Sequence, residues 1–288
     1  MAPDTDRVVY RSETVTIGAF RCPTDHPSFR DSGPIQNDCF VFPRTAVVIR
    51  HYGGTPFIAD PTIVTLYNRR QAYERRALSP DGDRCDWFAI APAVIREAIG
   101  QHDPHAADRE RPIRFTHAAV DSPTYLAQRR LFVQAASGQD VDALHIDESV
   151  VGLLDAVLDR AYARSVRGPG QPSSTSAAEL ASATKSWLLA RIAEPLTLVR
   201  IADAIGCSMF HLCRAFRRAT GITVHGYRDQ VRLRLALERI EQGERDLTRL
   251  ALDLGYSSHS HFTAAFRHAF AMPPSVVRRT LTGAVPVR

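Results

Sequence analysis

The feature that most limits how this chain can fold is an internal repeat in its last third. Ile201-Ala202, Gly206, Ser208, Leu212 and Phe216-Arg217 recur as Leu250-Ala251, Gly255, Ser257, Phe262 and Phe266-Arg267, an interval of about 50 residues with one residue inserted after the serine. Each copy reads as a short helix, a glycine that lets the backbone turn, and a second helix opened by a serine N-cap, which is the grammar of a helix-turn-helix. Leu198, Ile201, Ala202, Ile205, Leu212 and Phe216 then fall on buried faces in the first copy, and Leu247, Leu250, Ala251, Leu254, Phe262 and Phe266 in the second. Between the copies, VHGYRDQVRLRLALERIEQG predicts one long helix that sets their separation.

The faces left outward differ between the copies. The first offers Met209, Phe210, Cys213 and Arg214, and the second His259, Ser260, Thr263 and Ala264. A planar guanidinium can bond guanine O6 and N7 together, a contact worth about 1–3 kcal/mol of discrimination, which singles out Arg214. From Ala178 to the end, 16 Lys and Arg stand against 9 Asp and Glu, although the whole chain carries only +5. The basic excess therefore belongs to one region. It suits a polyanionic partner, but charge alone does not separate DNA from RNA or an anionic membrane surface.

At 288 residues the chain has length for two domains. From Thr14 to about Pro92, runs such as TVTIGAF, CFVFP, TAVVIRHY and TIVTLYN are separated by the turn signals DSGP, YGGTP and SPDGD, as in a compact β sandwich or barrel. Helical periodicity begins near Ala91. From about Asp147 to Arg164 it places Val150, Leu153, Leu154, Val157, Leu158 and Ala161 on one stripe, which has two readings: packing within the chain, or the contact between two copies. SVRGPGQPSSTSAA follows as a linker. The expected organisation is a β domain over 1–100, a helical connector and possible dimerisation region over 101–165, a flexible linker over 166–177, and a helical domain over 178–288. No apolar run approaches the roughly 20 residues needed to cross a bilayer. The opening MAPDTDRVVYRSETV lacks the apolar core of a secretory signal, so the expected location is the cytoplasm.

Three stretches, IADAIGCSMFHLCRAFRRATG, RLRLALERI and LALDLGYSSHSHFTAAFRHAFAMPPSVVRR, resemble the AraC/XylS family of bacterial transcription regulators, and the resemblance covers roughly Ala178 to Arg279. It implies a sequence-specific regulator binding double-stranded DNA, as a homodimer, with RNA polymerase as a further partner if it activates. It implies two recognition helices in successive major grooves, about 34 Å apart. The family's base-reading positions fall on Phe210, Cys213 and Arg214, and on Ser260, His261, Thr263 and Ala264. Arg217, Arg218, Arg267, Arg278 and Arg279 are read as phosphate contacts, which add salt-dependent affinity and little sequence choice. The chain departs from the family at Ala264, where a basic side chain is frequent, at Ala271, a frequent glycine, and at Val277, a frequent tyrosine.

FIADPTIVTLYNRRQAYERR, with the strand-like runs before it, looks like the cupin-type effector domain that such regulators often carry. The fold class is thus α+β: an N-terminal cupin-like β-barrel with following helices, then an all-α double helix-turn-helix domain. A barrel of this size either encloses a small-molecule effector or is a filled core. The side chains expected to line it are His26, Arg44, His51, Tyr67 and Trp87, with Phe42 and Asn68 beside them. If the interior is filled, the reading becomes a constitutive or architectural DNA-binding protein. An enzyme is not expected: there is no His-x-His, P-loop, dinucleotide fingerprint or nucleophile elbow, and His102 and His105 read as solvated. No cofactor and no metal site are assigned. The five cysteines form no CxxC pair; they read as small core residues, with a redox or metal role for Cys22 and Cys39 near His26 as the alternative.

Overall fold

The computed structural model describes residues 5–51, 53–138, 142–166 and 175–282. The chain divides into two compact units, with the break after Val166. Most of the expected linker, residues 167–174, lies outside the described residues.

The first unit contains β1 (Asp6–Arg11), β2 (Val15–Cys22), β3 (Asp31–Ser32), β4 (Cys39–Pro43), β5 (Val47–His51), β6 (Phe57–Ala59), β7 (Ile63–Tyr67), β8 (Tyr73–Ala77), β9 (Asp83–Ile90) and β10 (His117–Ala119). One sheet runs β1-β2-β9-β4-β7-β10 and the other β3-β8-β5-β6, with antiparallel ladders throughout. The expected barrel takes the form, in its hydrogen bonding, of two open sheets facing one another. The edge strands β3 and β6 are two and three residues long, too short to carry a ladder across from one sheet to the other.

Side chains alternate across a strand, and this alternation divides the work of the first sheet. On β4, Cys39 and Val41 join a core with Val47, Ile49 and Tyr73 of the second sheet, while Phe40 and Phe42 turn the other way and pack with Phe88. Helices cover that second face, so every residue of β4 and β7 is buried. They are α1 (Pro92–Gly100), the short α2 (Pro104–Ala107), α3 (Ser122–Ala136) and α4 (Ala143–Val166). Phe40 and Leu66 meet Ile95 and Ile99 of α1 and Leu154 and Leu158 of α4, and Tyr125 of α3 lies edge-on to Phe42. Val150, Leu153, Leu154, Val157, Leu158 and Ala161 are all buried within this unit, so the apolar stripe of α4 is spent on the chain's own core.

A charged cluster is buried beneath the same helices. Asp86 of β9 takes the Nη1 of Arg129 and, at 2.9 Å, the Nε2 of Gln128, both from α3; all three side chains are at most 1% exposed. The pairing holds α3 in register with β9, and loss of Arg129 would leave the buried Asp86 with only the more distant Arg44 cation, 3.8 Å away.

The second unit is helical: α5 (Thr175–Leu189), α6 (Leu198–Ile205), α7 (Met209–Thr220), α8 (Val224–Glu241), α9 (Leu247–Asp253), α10 (His259–Phe270) and α11 (Pro274–Thr282). α6–α7 and α9–α10 are the two helix-turn-helix pairs. Thr197, Ser208, Thr223, Asp246 and Ser258 cap α6 to α10 through side-chain oxygens that accept backbone N–H groups. The cap of α10 is Ser258 rather than Ser257, because the extra residue in the second copy lengthens its turn by one. Ile201, Ala202, Leu212 and Phe216 form a core with Leu188 of α5 and Tyr227 of α8. Leu198 is 38% exposed, contrary to its expected burial: it occupies the first turn after the Thr197 cap, at the rim of that core.

α8 does more than space the two pairs. Its Arg232 Nε donates to the Ile192 carbonyl at 2.8 Å, and Arg228 donates to the Ile192 and Glu194 carbonyls, in the segment that leads into α6. The turn of the second pair presses on the same place: a Cβ at Gly255 would stand 2.2 Å from the Ala193 carbonyl oxygen and 2.3 Å from Arg232 Nη2. Gly206, at φ 76°, has open space around its Cα and needs only the left-handed backbone. At the ends of α7 and α10 the equivalent positions hold Gly221 at φ 82° and Ala271 at φ 58°.

These differences set an order of stabilities measurable by thermal or denaturant unfolding. Ala271→Gly should stabilise the second unit by about 1 kcal/mol, since a left-handed alanine carries that cost. Gly206→Ala should cost about 1–2 kcal/mol for the backbone alone, and Gly255→Ala clearly more, because a carbonyl must also move.

Candidate nucleic-acid interface and ligand cavity

Between the two sheets of the first unit lies a cavity of about 320 Å³. Its walls are mostly apolar, with Phe20, Val41, Val47, Ile49, Ala59 and Ala89 among them, and Tyr67, Tyr73 and Trp87 add rings. Of the residues expected to line a cavity, Tyr67 and Trp87 do so, whereas His26, Arg44 and His51 stand outside it. Arg44 and Phe42 fall to the helix side: Arg44 Nη1 lies 3.8 Å from Asp86. Asn68 is tied by its amide to the Ile113 backbone. His26 accepts the Ser28 N–H on Nδ1 at 3.2 Å.

His51 is buried beside the Tyr67 ring, centroids 5.0 Å apart. Gln71 Oε1 accepts the Asn68 N–H, which turns the amide nitrogen toward His51 Nδ1 at 2.6 Å. Nδ1 is therefore the acceptor and the ring proton sits on Nε2. Burial lowers the pKa of this imidazole, keeping it neutral at neutral pH.

Sequence reading passed over Arg75 and Asp83, both buried in the cavity wall. Arg75 Nη1 bonds Asp83 Oδ2 at 2.6 Å, Nε donates to the Phe29 carbonyl at 3.0 Å, and Nη2 to the Ser28 carbonyl at 3.1 Å. The rings of Phe20, Phe29 and Tyr73 lie 4.7–5.6 Å from the guanidinium carbon. The period-two pattern of YERRA could have placed Arg75 inward with Tyr73, but the adjacent Arg76 hides which arginine points in.

Cys22, Cys39 and Cys85 all line this cavity as free thiols. Cys22 pairs with Asp83 and Cys39 with Ala89 on β9, six positions apart, about 20 Å along the strand. A disulfide needs Cα atoms about 4.4–6.8 Å apart, so these two cannot form one. Burial pushes the Cys39 thiol up to about 12 and raises Cys22 and Cys85 as well, the opposite of what a reactive thiolate requires. Among the described residues, the group of His, Cys, Asp and Glu that gathers donor atoms within 4.8 Å is His102, Asp155 and Asp159, and none of these lines the cavity. His102 is half-buried and stacked on Tyr162 at 4.7 Å rather than solvated, while His105 is exposed.

In the second unit, α7 and α10 present equivalent outward faces. Leu212 and Phe216 anchor α7, and Phe262 and Phe266 anchor α10, in the same frame. Phe210 thus matches Ser260, Cys213 matches Thr263, Arg214 matches Ala264, and Arg217 matches Arg267. On α7, Phe210 is 73% exposed, Arg214, Arg217 and Arg218 are exposed, and Cys213 is half-buried. On α10, His259, Ser260, Thr263, Ala264, Arg267 and His268 line one open concavity. His261 is drawn back to the turn, its Nδ1 3.1 Å from Ser257 Oγ and its ring edge-on to Tyr256. Arg279 is exposed, and Arg278 donates to the Arg245 carbonyl at 3.1 Å.

Part of the basic excess of this unit serves its own fold. Arg234 is 1% exposed, and Arg228 and Arg232 bind carbonyls as described above. Burial and the neighbouring Arg228 lower Arg232 to about 10, so it remains a cation at neutral pH. Arg239 is held between Glu244 and Asp253.

A family model described as a helix-turn-helix domain matches residues 201–280. The regulatory protein SoxS of Escherichia coli K12 is 36% identical over 96 residues, which are 33% of this chain and 90% of SoxS. The chain belongs to the AraC/XylS family. The transcriptional activator RhaS of Pectobacterium carotovorum is 30% identical over 106 residues, 37% of this chain and 38% of RhaS. Among solved structures, ToxT from Vibrio cholerae O395 aligns over 94% of this chain and all of that one, with a TM-score of 0.37 and 11% identity. This AraC/XylS protein is therefore a DNA-binding transcription regulator with bacterial relatives, and among its described residues no helix is long and apolar enough to cross a membrane. Its departures from the family have visible consequences. Ala264 leaves the second outward face without the cation that Arg214 gives the first, Ala271 is held left-handed, and Val277 is fully buried.

Two measurements check the chemistry of the first unit. Iodoacetamide at mildly alkaline pH should label Cys39 and Cys85 in the folded protein at least about a hundredfold more slowly than after unfolding, read by peptide mass spectrometry. The folded-state pKa of His51 lies below its unfolded value of about 6.5. Its neutral form thus supports folding fully above that pH, and the support is lost as pH falls through the folded value. His51→Gln should flatten the acid side of the stability profile; an unchanged profile would assign the acid sensitivity elsewhere.

Proposed function

We propose that this regulator reads DNA with two unequal heads and that a small molecule held between the sheets of its first unit adjusts that binding. The observation that carries the reading is the cavity itself. A constitutive or architectural protein would need no such space, and a filled interior was the feature expected of it. The two facing sheets with inward alternation also support the cupin-like description of this unit. An effector acts only by binding one arrangement of the protein better than another, and its differential affinity sets the limit of the switch.

In the first head, Arg214 is the principal base reader and Phe210 offers an apolar surface to thymine methyl groups, with Cys213 beside them. In the second, Ser260, Thr263 and Ala264 offer short, uncharged contacts, and His261 is the least free to turn toward a base. Arg217, Arg218, Arg267 and Arg279 supply phosphate contacts, with Arg278 reaching the backbone only by giving up its carbonyl. Action as a homodimer, and contact with RNA polymerase when activating, belong to this reading as well.

Selection of bound sequences from a random DNA pool, using the full chain at fixed salt, tests it. The expected result is two blocks spaced by one helical turn, about 34 Å, with the block under the first head the more sharply defined. Arg214→Ala should weaken binding to the recovered site by about 1–3 kcal/mol more than to random DNA. Arg217→Ala should weaken both alike and lower the salt dependence by about one phosphate contact. Equal losses on both DNAs for Arg214→Ala remove it from the base readers, and recovery of no motif overturns sequence-specific binding by this form of the protein.

A further inference from the structure

The cavity of the first unit contains charge, but none of it is left to spend on a ligand. Its cation, Arg75, is engaged by Asp83 and by the Ser28 and Phe29 carbonyls, and aromatic rings lie against the guanidinium. Asp83 is neutralised by the same arginine, so the buried interior sums to zero. At the mouth, Asp6 accepts the Trp87 indole N–H at 2.6 Å. An anion entering here would meet two carboxylates and an occupied guanidinium. A cation would meet the Arg75 guanidinium inside with its counter-charge already taken, and Asp6, the carboxylate outside that pair, stands exposed to water and holds the Trp87 indole N–H. In the interior either would give up water without an opposite charge to replace it.

The rest of the lining is mostly apolar wall and ring surface, with neutral polar side chains along it, among them Ser28, Gln36, Asn37, Thr65, Tyr67 and Tyr73. Burial raises the Tyr67 phenol well above its ordinary range, so that hydroxyl stays protonated. About 320 Å³ is at the small end of ligand pockets, which run about 300–1,000 Å³. Resting on the reading of this cavity as the effector site, we propose that its ligand is an uncharged, largely apolar ring compound bearing at most one or two hydrogen-bonding groups.

Three probes of nearly equal shape test the class on the full chain at neutral pH by calorimetry: para-propylphenol, which is neutral, para-propylbenzoate, an anion, and para-propylbenzylamine, a cation. The phenol should bind at least about tenfold more tightly than either charged probe. Asp83→Asn, checked for folding by its melting transition, should release the Arg75 guanidinium and bring the benzoate up by about tenfold or more. The wild-type comparison needs no variant to fold. If a charged probe binds as well as the phenol, or within tenfold of it, the assignment of ligand class is overturned while the cavity stands as a binding site. If none of the three binds, the cavity is not a ligand site and the sensor reading falls with it.

Discussion

The second helix-turn-helix pair is held in place by a contact that allows no side chain: the Cα of Gly255 faces the Ala193 carbonyl and the Arg232 guanidinium at distances a methyl group would violate. Arg228 and Arg232 of α8 bind carbonyls of the same short segment, which leads directly into α6. One knot therefore joins the approach to the first pair, the spacer helix and the turn of the second pair. Eighteen residues of α8 give a spacer of about 27 Å, but length alone would leave the second pair free to roll around the helix axis. The knot removes that freedom, so that α7 and α10 keep a fixed relation, as the proposed reading of DNA by two heads requires.

In the first unit the comparable constraint is strand parity. Odd-numbered residues of β4 and β9 face the other sheet and even-numbered ones face the helices, and each face buries its own charged pair. Asp86 with Arg129 fastens α3 to the sheet, and Asp83 with Arg75 joins the two sheets. The two carboxylates stand three positions apart on β9, an odd interval, so they serve opposite sides of the sheet. Neutralising Asp83 inside the cavity is what makes an otherwise apolar space compatible with a buried carboxylate.

Much of this was legible in the sequence. The repeat fixed both helix pairs, both glycine turns and the four core aromatics and leucines of α7 and α10, because helical periodicity and left-handed turns leave strong local marks. Less readable was whatever depends on distant partners. Leu198 has the right spacing for burial but sits at the rim of its helix. The apolar stripe of α4 was equally consistent with a second chain or with the sheet, and the sheet covers it. Arg75 and Arg76 are indistinguishable until the register of β8 is known, and only then does the electrostatic balance of the cavity emerge. Of the expected cavity residues, the two that line it, Tyr67 and Trp87, are ring side chains on strands, Tyr67 on a run that the alternation marks; Arg44 fails by parity and His26 by lying on a loop. The charge count also overstated the basic surface, since Arg228, Arg232, Arg234 and Arg239 are engaged within the protein.

The unlike outward faces of α7 and α10 carry a consequence for orientation. With Arg214 and Phe210 on α7 and Ala264 and Ser260 on α10, and the two helices locked by the knot at Gly255, the proposed two-headed reading gives a single protomer a preferred DNA sequence with a direction. On that reading the site acts as an arrow, and inverting that sequence in a promoter would reverse the order in which α7 and α10 lie along the duplex.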